Sequence, residues 1–162
     1  MKKIVCLFIC GLVIFLFSAQ NSQALIKPVS FYISGGVLTD DSLSFDPFYW
    51  TGGAIIDFNL PAAPIMISPE CHIIVHNFDF DYFWVAPSVL VNLKFSSLFV
   101  GAGLTKWFLV GTELEDTLAT EFMLKINAGL KGPGVRLSAY LITEFDSLFK
   151  YNTVGANIGF GF

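Results

Sequence analysis

The sequence predicts an all-β protein, an eight-stranded antiparallel up-and-down transmembrane β-barrel. The chain of 162 residues is 54% hydrophobic and 14% charged, whereas soluble domains carry about 25% charged residues. Downstream of an N-terminal leader, no apolar run approaches the roughly 20 residues that a membrane-spanning helix needs. Apolar residues instead alternate with polar or small ones, as in strands with one apolar face. Apart from helices, closed β-barrels alone satisfy every backbone amide in hydrocarbon.

The N-terminus predicts export. Two lysines precede the apolar run at residues 4–17, and small residues follow at the expected cleavage point. A charged start, a short apolar centre and a small-residue exit are typical of a secretory signal peptide. We therefore expect a signal peptide at 1–24 and an outer-membrane β-barrel domain at 25–162. Cys71 is then the single thiol of the mature chain, so no disulfide stabilises it.

The first four alternating segments have the length of transmembrane strands, about ten residues. They are residues 29–37, 51–60, 65–76 and 83–95. The turn PAAP follows the second segment, and the short loop NFDFDY precedes the fourth. Pro69 and Pro87 each remove a ladder donor, which indicates a local bulge or a strand boundary.

The remaining four segments repeat the same alternation. They are residues 98–105, 121–131, 135–142 and 152–162. The turn KGPG separates the sixth segment from the seventh. In the eighth, Val154, Ala156, Ile158, Phe160 and Phe162 share one face, and the positions between them hold small or polar residues.

The distribution of charge indicates which face meets the membrane. No charged residue occupies the apolar faces of the eight segments, whereas charged residues do occupy the opposite faces. A soluble barrel would show the reverse, because its outer surface needs charges. The sequence therefore predicts an apolar exterior and a polar lumen.

The connections support this topology. Those after the second, fourth and sixth segments are short, and those at about 39–49, 77–82, 106–119 and 143–151 are longer. Short turns that alternate with longer loops are typical of outer-membrane barrels, in which the short turns are periplasmic. Both termini are then expected on the periplasmic side.

The segment GANIGFGF resembles the assembly signal of the small eight-stranded outer-membrane β-barrels, the family of OmpX, Ail, the OmpA barrel and OmpW. The resemblance covers the whole predicted mature chain. It implies a monomer at the cell surface, embedded in the lipid of the outer membrane, with periplasmic termini. It also implies that the barrel-assembly machinery reads Ile158, Phe160 and Phe162.

The inward faces hold the candidate functional side chains. An eight-stranded barrel is just wide enough to be filled by its own side chains, so we expect a polar network that closes the lumen. Its predicted members are Asp57, Glu70, His72, His76, Lys94, Glu121, Lys125, Arg136 and Tyr140. Inward glycines and apolar residues leave an alternative open, a narrow channel for small apolar solutes, as the resemblance to OmpW implies.

An enzyme is the remote alternative. Glu70, His72 and His76 share the inner face of one strand, but His72 and His76 stand roughly 13 Å apart at 3.4 Å per residue and cannot share a metal ion. Barrels that resemble lipid A deacylase carry a His-x-Ser pair on one strand face, and neither histidine has one. We therefore predict no catalytic residue, no cofactor and no metal, and keep a lipid-modifying enzyme as the least favoured reading.

The long loops form an acidic rim. It comprises Asp40, Asp41, Asp46, Asp79, Asp81, Glu113, Glu115, Asp116, Glu144 and Asp146. Such a rim attracts cations or basic surfaces, and the loop LSFDPFYW adds aromatic side chains. These features favour a structural, adhesion or ligand-binding role, with a host or matrix component bound at the loops. The acidic chain has no phosphate-binding glycine loop, which argues against nucleic acid as a partner.

Overall fold

The structure, a computed structural model, describes residues 28–40, 49–61, 63–76, 78–111, 118–150 and 152–162. The predicted signal peptide at 1–24 lies outside the described residues. Five predicted members of the acidic rim do so as well: Asp41, Asp46, Glu113, Glu115 and Asp116.

Ten strands make up the regular structure of the described chain. They are β1 (Val29–Asp40), β2 (Tyr49–Asn59), β3 (Ile65–His76), β4 (Asp79–Phe95), β5 (Leu98–Thr105), β6 (Phe108–Gly111), β7 (Leu118–Ala119), β8 (Met123–Gly132), β9 (Val135–Glu144) and β10 (Asn152–Gly161). In the part of the chain that the structure describes, no helix is long and apolar enough to cross a membrane.

Eight of these strands form a closed ring. The hydrogen-bonded order is β1-β2-β3-β4-β5-β8-β9-β10, and β10 pairs with β1 to complete it. Every pairing in the ring is antiparallel. The predicted eight-stranded up-and-down β-barrel is confirmed.

β6 and β7 correct the prediction that residues 106–119 form a loop. β6 pairs with the beginning of β4, where Phe83 lies opposite Val110, and β7 pairs with β6. β4 is longer than predicted and begins at Asp79, so it extends beyond the ring. Two strands of four and two residues are too short to show a clear alternation in the sequence.

The two prolines lie where the ladders are interrupted. The pairing of β2 with β3 stops between Glu70 and Ile67, and Pro69 lies in that gap. Pro87 lies where β4 changes partner, between its pairing with β6, which ends at Val85, and its pairing with β5. Because proline has no N–H, it is tolerated where a ladder bond is already absent.

The barrel has two distinguishable ends. We call the end at which β1 begins and β10 ends the turn end, and the opposite end, at which β1 ends and β10 begins, the loop end. Side chains alternate between lumen and exterior in every strand of the ring, so that Ile158 and Phe160 are exposed while Asn157 and Gly159 are buried. The strand period of two therefore divides each segment as the sequence predicts.

Candidate functional site

The lumen is filled by two kinds of side chain. Toward the turn end and the middle, the buried residues are mostly charged or polar, and toward the loop end they form an apolar cluster. The candidate functional site is therefore the interior of the barrel, and its two parts differ in chemistry.

Glu70 is the centre of the polar part. Its Oε2 atom is 2.7 Å from Lys125 Nζ, and its Oε1 atom is 2.9 Å from Arg136 Nη1. β3, β8 and β9 contribute these three residues from different sides of the ring, and all three are buried. The carboxylate thus compensates two buried cations, each through a charge-assisted hydrogen bond.

A second carboxylate lies nearer the turn end. Asp57, which is fully buried, accepts hydrogen bonds from Lys131 Nζ at 2.8 Å and from Ser68 Oγ at 2.8 Å. Asn92 donates in turn to Ser68 Oγ at 2.9 Å. Arg136 Nε is 3.9 Å from Asp57 Oδ2, so this arginine joins the two carboxylate clusters into one network.

Aromatic rings cover the cations of the network. Arg136 Cζ is 4.8 Å from the ring centroid of Phe99, and Lys125 Nζ is 4.6 Å from that of Tyr140. Lys131 Nζ is 5.4 Å from the Tyr32 ring. Such cation–π contacts stabilise positive charge that has lost its water, and they fill space between the strands.

Glycines make room for these rings. A Cβ atom at Gly129 would overlap Phe99, and one at Gly161 would lie within 2.7 Å of the Tyr32 ring. The inward glycines were the reason why the sequence analysis kept a narrow channel as an alternative. At these two positions aromatic side chains cover the glycines.

His72 belongs to a separate chain of hydrogen bonds. Thr51 Oγ1 donates to Asn157 Oδ1 at 3.3 Å, which directs the Asn157 amide nitrogen toward His72 Nε2 at 3.2 Å. Ser34 Oγ lies 3.1 Å from the same nitrogen. Because Nε2 accepts from Asn157, the imidazole is neutral and carries its proton on Nδ1.

The sequence analysis missed the contact between Ser34 and His72, but this pair is not a nucleophile with its base, because His72 Nε2 accepts from Asn157 and Ser34 Oγ donates to Gly53 O at 3.3 Å. The adjoining cavity, lined by His72, Thr51 and Lys125 among others, has a volume of about 10 Å³. That is room for about one water molecule. A lipid substrate would not reach the pair without a large rearrangement of the lumen.

Three predicted members of the network lie at its margins or outside it. Lys94 is half-buried and donates to Asn59 Oδ1 at 2.9 Å. His76 is exposed at the end of β3, with its ring 5.2 Å from the Tyr49 ring. Glu121 is exposed and precedes β8, because that strand begins at Met123 and not at residue 121. The structure therefore does not bury His76 or Glu121 in the lumen.

The apolar part closes the lumen toward the loop end. Its buried members are Leu38, Ile74, Ala86, Met123, Tyr140 and Ile142, and Tyr49, Trp84 and Trp107 pack against them. Beyond this layer the barrel opens into a cavity of about 350 Å³. The sequence analysis did not include Trp84 or Trp107 in the predicted lumen network.

The remaining predicted site residues that the structure describes lie on the surface or at strand ends. Ile158, Phe160 and Phe162 are exposed on the outer face or at the turn end. Asp81, Glu144 and Asp146 are exposed at or near the loop end, and Asp40 and Asp79 occupy the adjacent strand ends. Within the described residues, no group of three or more histidines, cysteines or acidic residues is placed to hold a metal ion.

Fold and site together define the class of this protein: a closed eight-stranded antiparallel β-barrel with a packed, ion-paired interior and an apolar exterior. No family model and no curated protein matches the chain. Among solved structures, the chain is similar to the N-terminal β-barrel domain of Pseudomonas aeruginosa OprF, with 17% sequence identity and a TM-score of 0.47. The match covers 82% of this chain and 97% of that domain.

Proposed function

We propose that this protein is an outer-membrane β-barrel of the cell surface with a closed lumen, which serves a structural role and presents its loops for adhesion. One observation carries the proposal, the uncharged apolar belt around the closed barrel.

The belt covers six of the eight strands of the ring, and on β8 and β9 outward apolar residues such as Ile126 and Leu137 are half-buried. Large apolar side chains that are more than 40% exposed occur on β1 to β5 and β10: Val29, Phe31, Ile33, Phe58, Ile73, Val89, Val91, Leu93, Phe95, Leu98, Val100, Leu104, Ile158 and Phe160. Soluble monomers rarely expose contiguous apolar patches larger than a few hundred Å². The belt therefore supports hydrocarbon as the surrounding medium.

The dimensions fit a bilayer. β1 has 12 residues and β9 has 10, which at 3.4 Å per residue and a tilt of about 40° rise roughly 31 Å and 26 Å along the barrel axis. The apolar band of outer-membrane barrels is about 25 Å tall. The charged side chains lie in the lumen, where Asp57 pairs with Lys131 and Glu70 pairs with Arg136. On the outer face such charges would be costly.

The predicted signal peptide supports export, and the pattern at Ile158, Phe160 and Phe162 supports insertion by the barrel-assembly machinery. We infer that the turn end is periplasmic and that the loop end is at the cell surface. The exposed carboxylates of Asp81, Glu144 and Asp146 would then meet the exterior and favour a basic host or matrix ligand.

Cys71 offers a direct test of the belt. It is exposed in the middle of β3, opposite Ala54 and Pro87. The mature chain should be refolded in lipid vesicles and treated with a water-soluble maleimide. If lipid surrounds the belt, Cys71 is not labelled, because the reaction needs a hydrated thiolate.

The matched control moves the thiol to water. A Cys71→Ser, Asp146→Cys double variant places the cysteine in an exposed turn and should be labelled fully under the same conditions. Equal labelling of wild type and control would show that water reaches the belt, and the proposal would fail. Protease treatment of intact cells, with cleavage restricted to the loop end, tests the orientation.

A further inference from the structure

A lysine stands on the outer face at the loop-end border of the apolar belt. Lys106 follows β5 directly, and in that strand Leu104 is exposed on the outer face while Thr105 is buried. Because side chains alternate along a strand, residue 106 faces outward again. Its backbone N–H donates to Pro87 O at 3.2 Å, which attaches the residue to the barrel wall beside β4.

Two aromatic rings flank the ammonium group of this lysine. Lys106 Nζ is 5.2 Å from the ring centroid of Phe122 and 5.6 Å from that of Phe108. Phe122 is 55% exposed and precedes Met123, which is buried in the apolar cluster of the lumen. Phe108 lies on β6 opposite Val85. Cation–π contacts from two separate segments therefore hold the ammonium group in one place on the barrel wall.

The ammonium group has donors to spare. Within the described residues, it forms no ion pair and no hydrogen bond to an oxygen acceptor. Lys106 is half-buried, but its Nζ atom is accessible, since it is not among the buried atoms that lack a partner. An ammonium group carries three N–H donors. A positioned, accessible cation of this kind is suited to bind an anion.

The depth of Lys106 indicates which anion meets it. β5 begins at Leu98 at the turn end, and the eight steps from there to Lys106 rise roughly 21 Å along the barrel axis at 3.4 Å per residue and a tilt of about 40°. The apolar band of outer-membrane barrels is about 25 Å tall. A lysine stem lies along apolar surface while its charged end reaches the polar boundary, which is where lipid head groups begin.

We propose that Lys106, Phe108 and Phe122 form a site for the phosphate head group of an anionic membrane lipid, whose acyl chains lie against the belt. This inference rests on the proposed function, because a lipid reaches the site only if the belt lies in a membrane. A lipid with a net negative charge is favoured over a zwitterionic one, since the latter brings its own cation.

The surroundings favour a lipid over a soluble anion. Glu144 and Asp146 are exposed at the loop end, and their charge repels anions that approach from solution. A lipid instead arrives through the membrane, where its acyl chains are already in contact with the belt. The two rings also fix the lysine before the lipid binds, which reduces the entropy lost on binding.

The experiment compares phosphatidic acid with phosphatidylcholine of the same acyl chains. The full mature barrel is transferred to micelles that contain equal amounts of both lipids, and native mass spectrometry measures which lipid is retained. Wild type should retain phosphatidic acid in preference. Lys106→Gln should weaken this binding about tenfold, the loss of one charge-assisted hydrogen bond, and leave phosphatidylcholine unchanged. Lys106→Arg should retain phosphatidic acid, because a guanidinium also binds phosphate.

Lys150→Gln is the matched control. It is the same chemical change at an exposed residue in the turn between β9 and β10, and this variant should bind phosphatidic acid as wild type does. Equal effects of Lys106→Gln and Lys150→Gln would mean that the lipid responds to overall charge, which excludes the site. Phe122→Leu tests the aromatic part and should weaken binding about threefold. Wild-type binding in this variant would overturn the role of the ring.

Two further measurements separate the possible failures. An excess of inorganic phosphate should not displace the lipid, and displacement would assign the site to a soluble anion and overturn the proposal. Maleimide labelling of Cys71 in vesicles distinguishes this inference from the proposed function. If Cys71 is protected while Lys106→Gln binds phosphatidic acid as wild type does, only the lipid site is wrong. If Cys71 is labelled fully, the membrane assignment fails and the lipid site fails with it.

Discussion

Tyr140 lies directly opposite Gly155 across the pairing of β9 with β10, and its ring occupies the space that a side chain at residue 155 would need. The tyrosine is buried, and its ring lies against the ammonium group of Lys125. One glycine on β10 thus allows a ring on β9 to contact both the ion-pair network and the apolar cluster.

This relationship predicts that Gly155→Ala destabilises the barrel. A Cβ atom would overlap the Tyr140 ring, and overpacking of this kind typically costs about 1–3 kcal/mol. Urea unfolding in lipid vesicles measures the loss. The matched change is Gly52→Ala, because an added Cβ there meets nothing within 4 Å. Equal midpoints for the two variants would show that the ring moves aside without cost.

Glu70→Gln should destabilise the protein more strongly. The substitution leaves Lys125 and Arg136 buried without their carboxylate, and breaking a buried ion pair in this way costs about 3–5 kcal/mol. Urea is the suitable denaturant, because it does not screen charges. Glu121→Gln is the same chemical change at an exposed residue and should shift stability by less than about 0.5 kcal/mol. A Glu70→Gln variant as stable as Glu121→Gln would mean that the network contributes little.

The cost of a charge on the belt should depend on depth. Val89 is 54% exposed in the middle of the barrel wall, and Leu98 is 55% exposed where β5 begins at the turn end. In a bilayer, Val89→Arg should cost about 2–4 kcal/mol and Leu98→Arg about 0–1 kcal/mol. Unfolding from vesicles measures both. In water the two substitutions would have similar, small effects, so equal values contradict the membrane assignment.

The packed lumen predicts that the barrel does not conduct. The cavity between the network and the apolar cluster has a volume of about 10 Å³, which does not accommodate a hydrated ion or a solute. The refolded protein in a planar bilayer should therefore show no stepwise currents, with an open porin reconstituted in the same way as the positive control. Discrete openings in salt solution would favour the narrow channel that the sequence analysis left as an alternative.

The ring of strands could be predicted because period two is a local signal that every segment repeats. Each strand carries its own division into apolar and polar faces, so neither the partner strands nor the register had to be known. Asp57, Glu70, Lys125 and Arg136 were placed in the lumen on this basis. The same reasoning failed at Glu121, since the pattern does not show where a strand begins.

The partners within the lumen could not be predicted. Ser34, His72 and Asn157 meet because β1, β3 and β10 curve around the same space, and that arrangement depends on strand tilt and stagger. The cavity at the loop end depends in the same way on Trp107, which lies between β5 and β6 and belongs to no alternating segment. Such contacts depend on how the ring of strands closes, and the local pattern of a single sequence does not show the tilt and stagger of the strands.

The seam between β1 and β10 has a consequence for the folding rate. Most other neighbours in the ring are adjacent in sequence, whereas the seam brings together residues as distant as Tyr32 and Gly161. Pairings of high contact order are slow to form, so the seam should be the last to close. Until it does, the sheet has two open edges that invite pairing with other copies. Any cellular factor that accelerates folding would therefore act most effectively on this one junction.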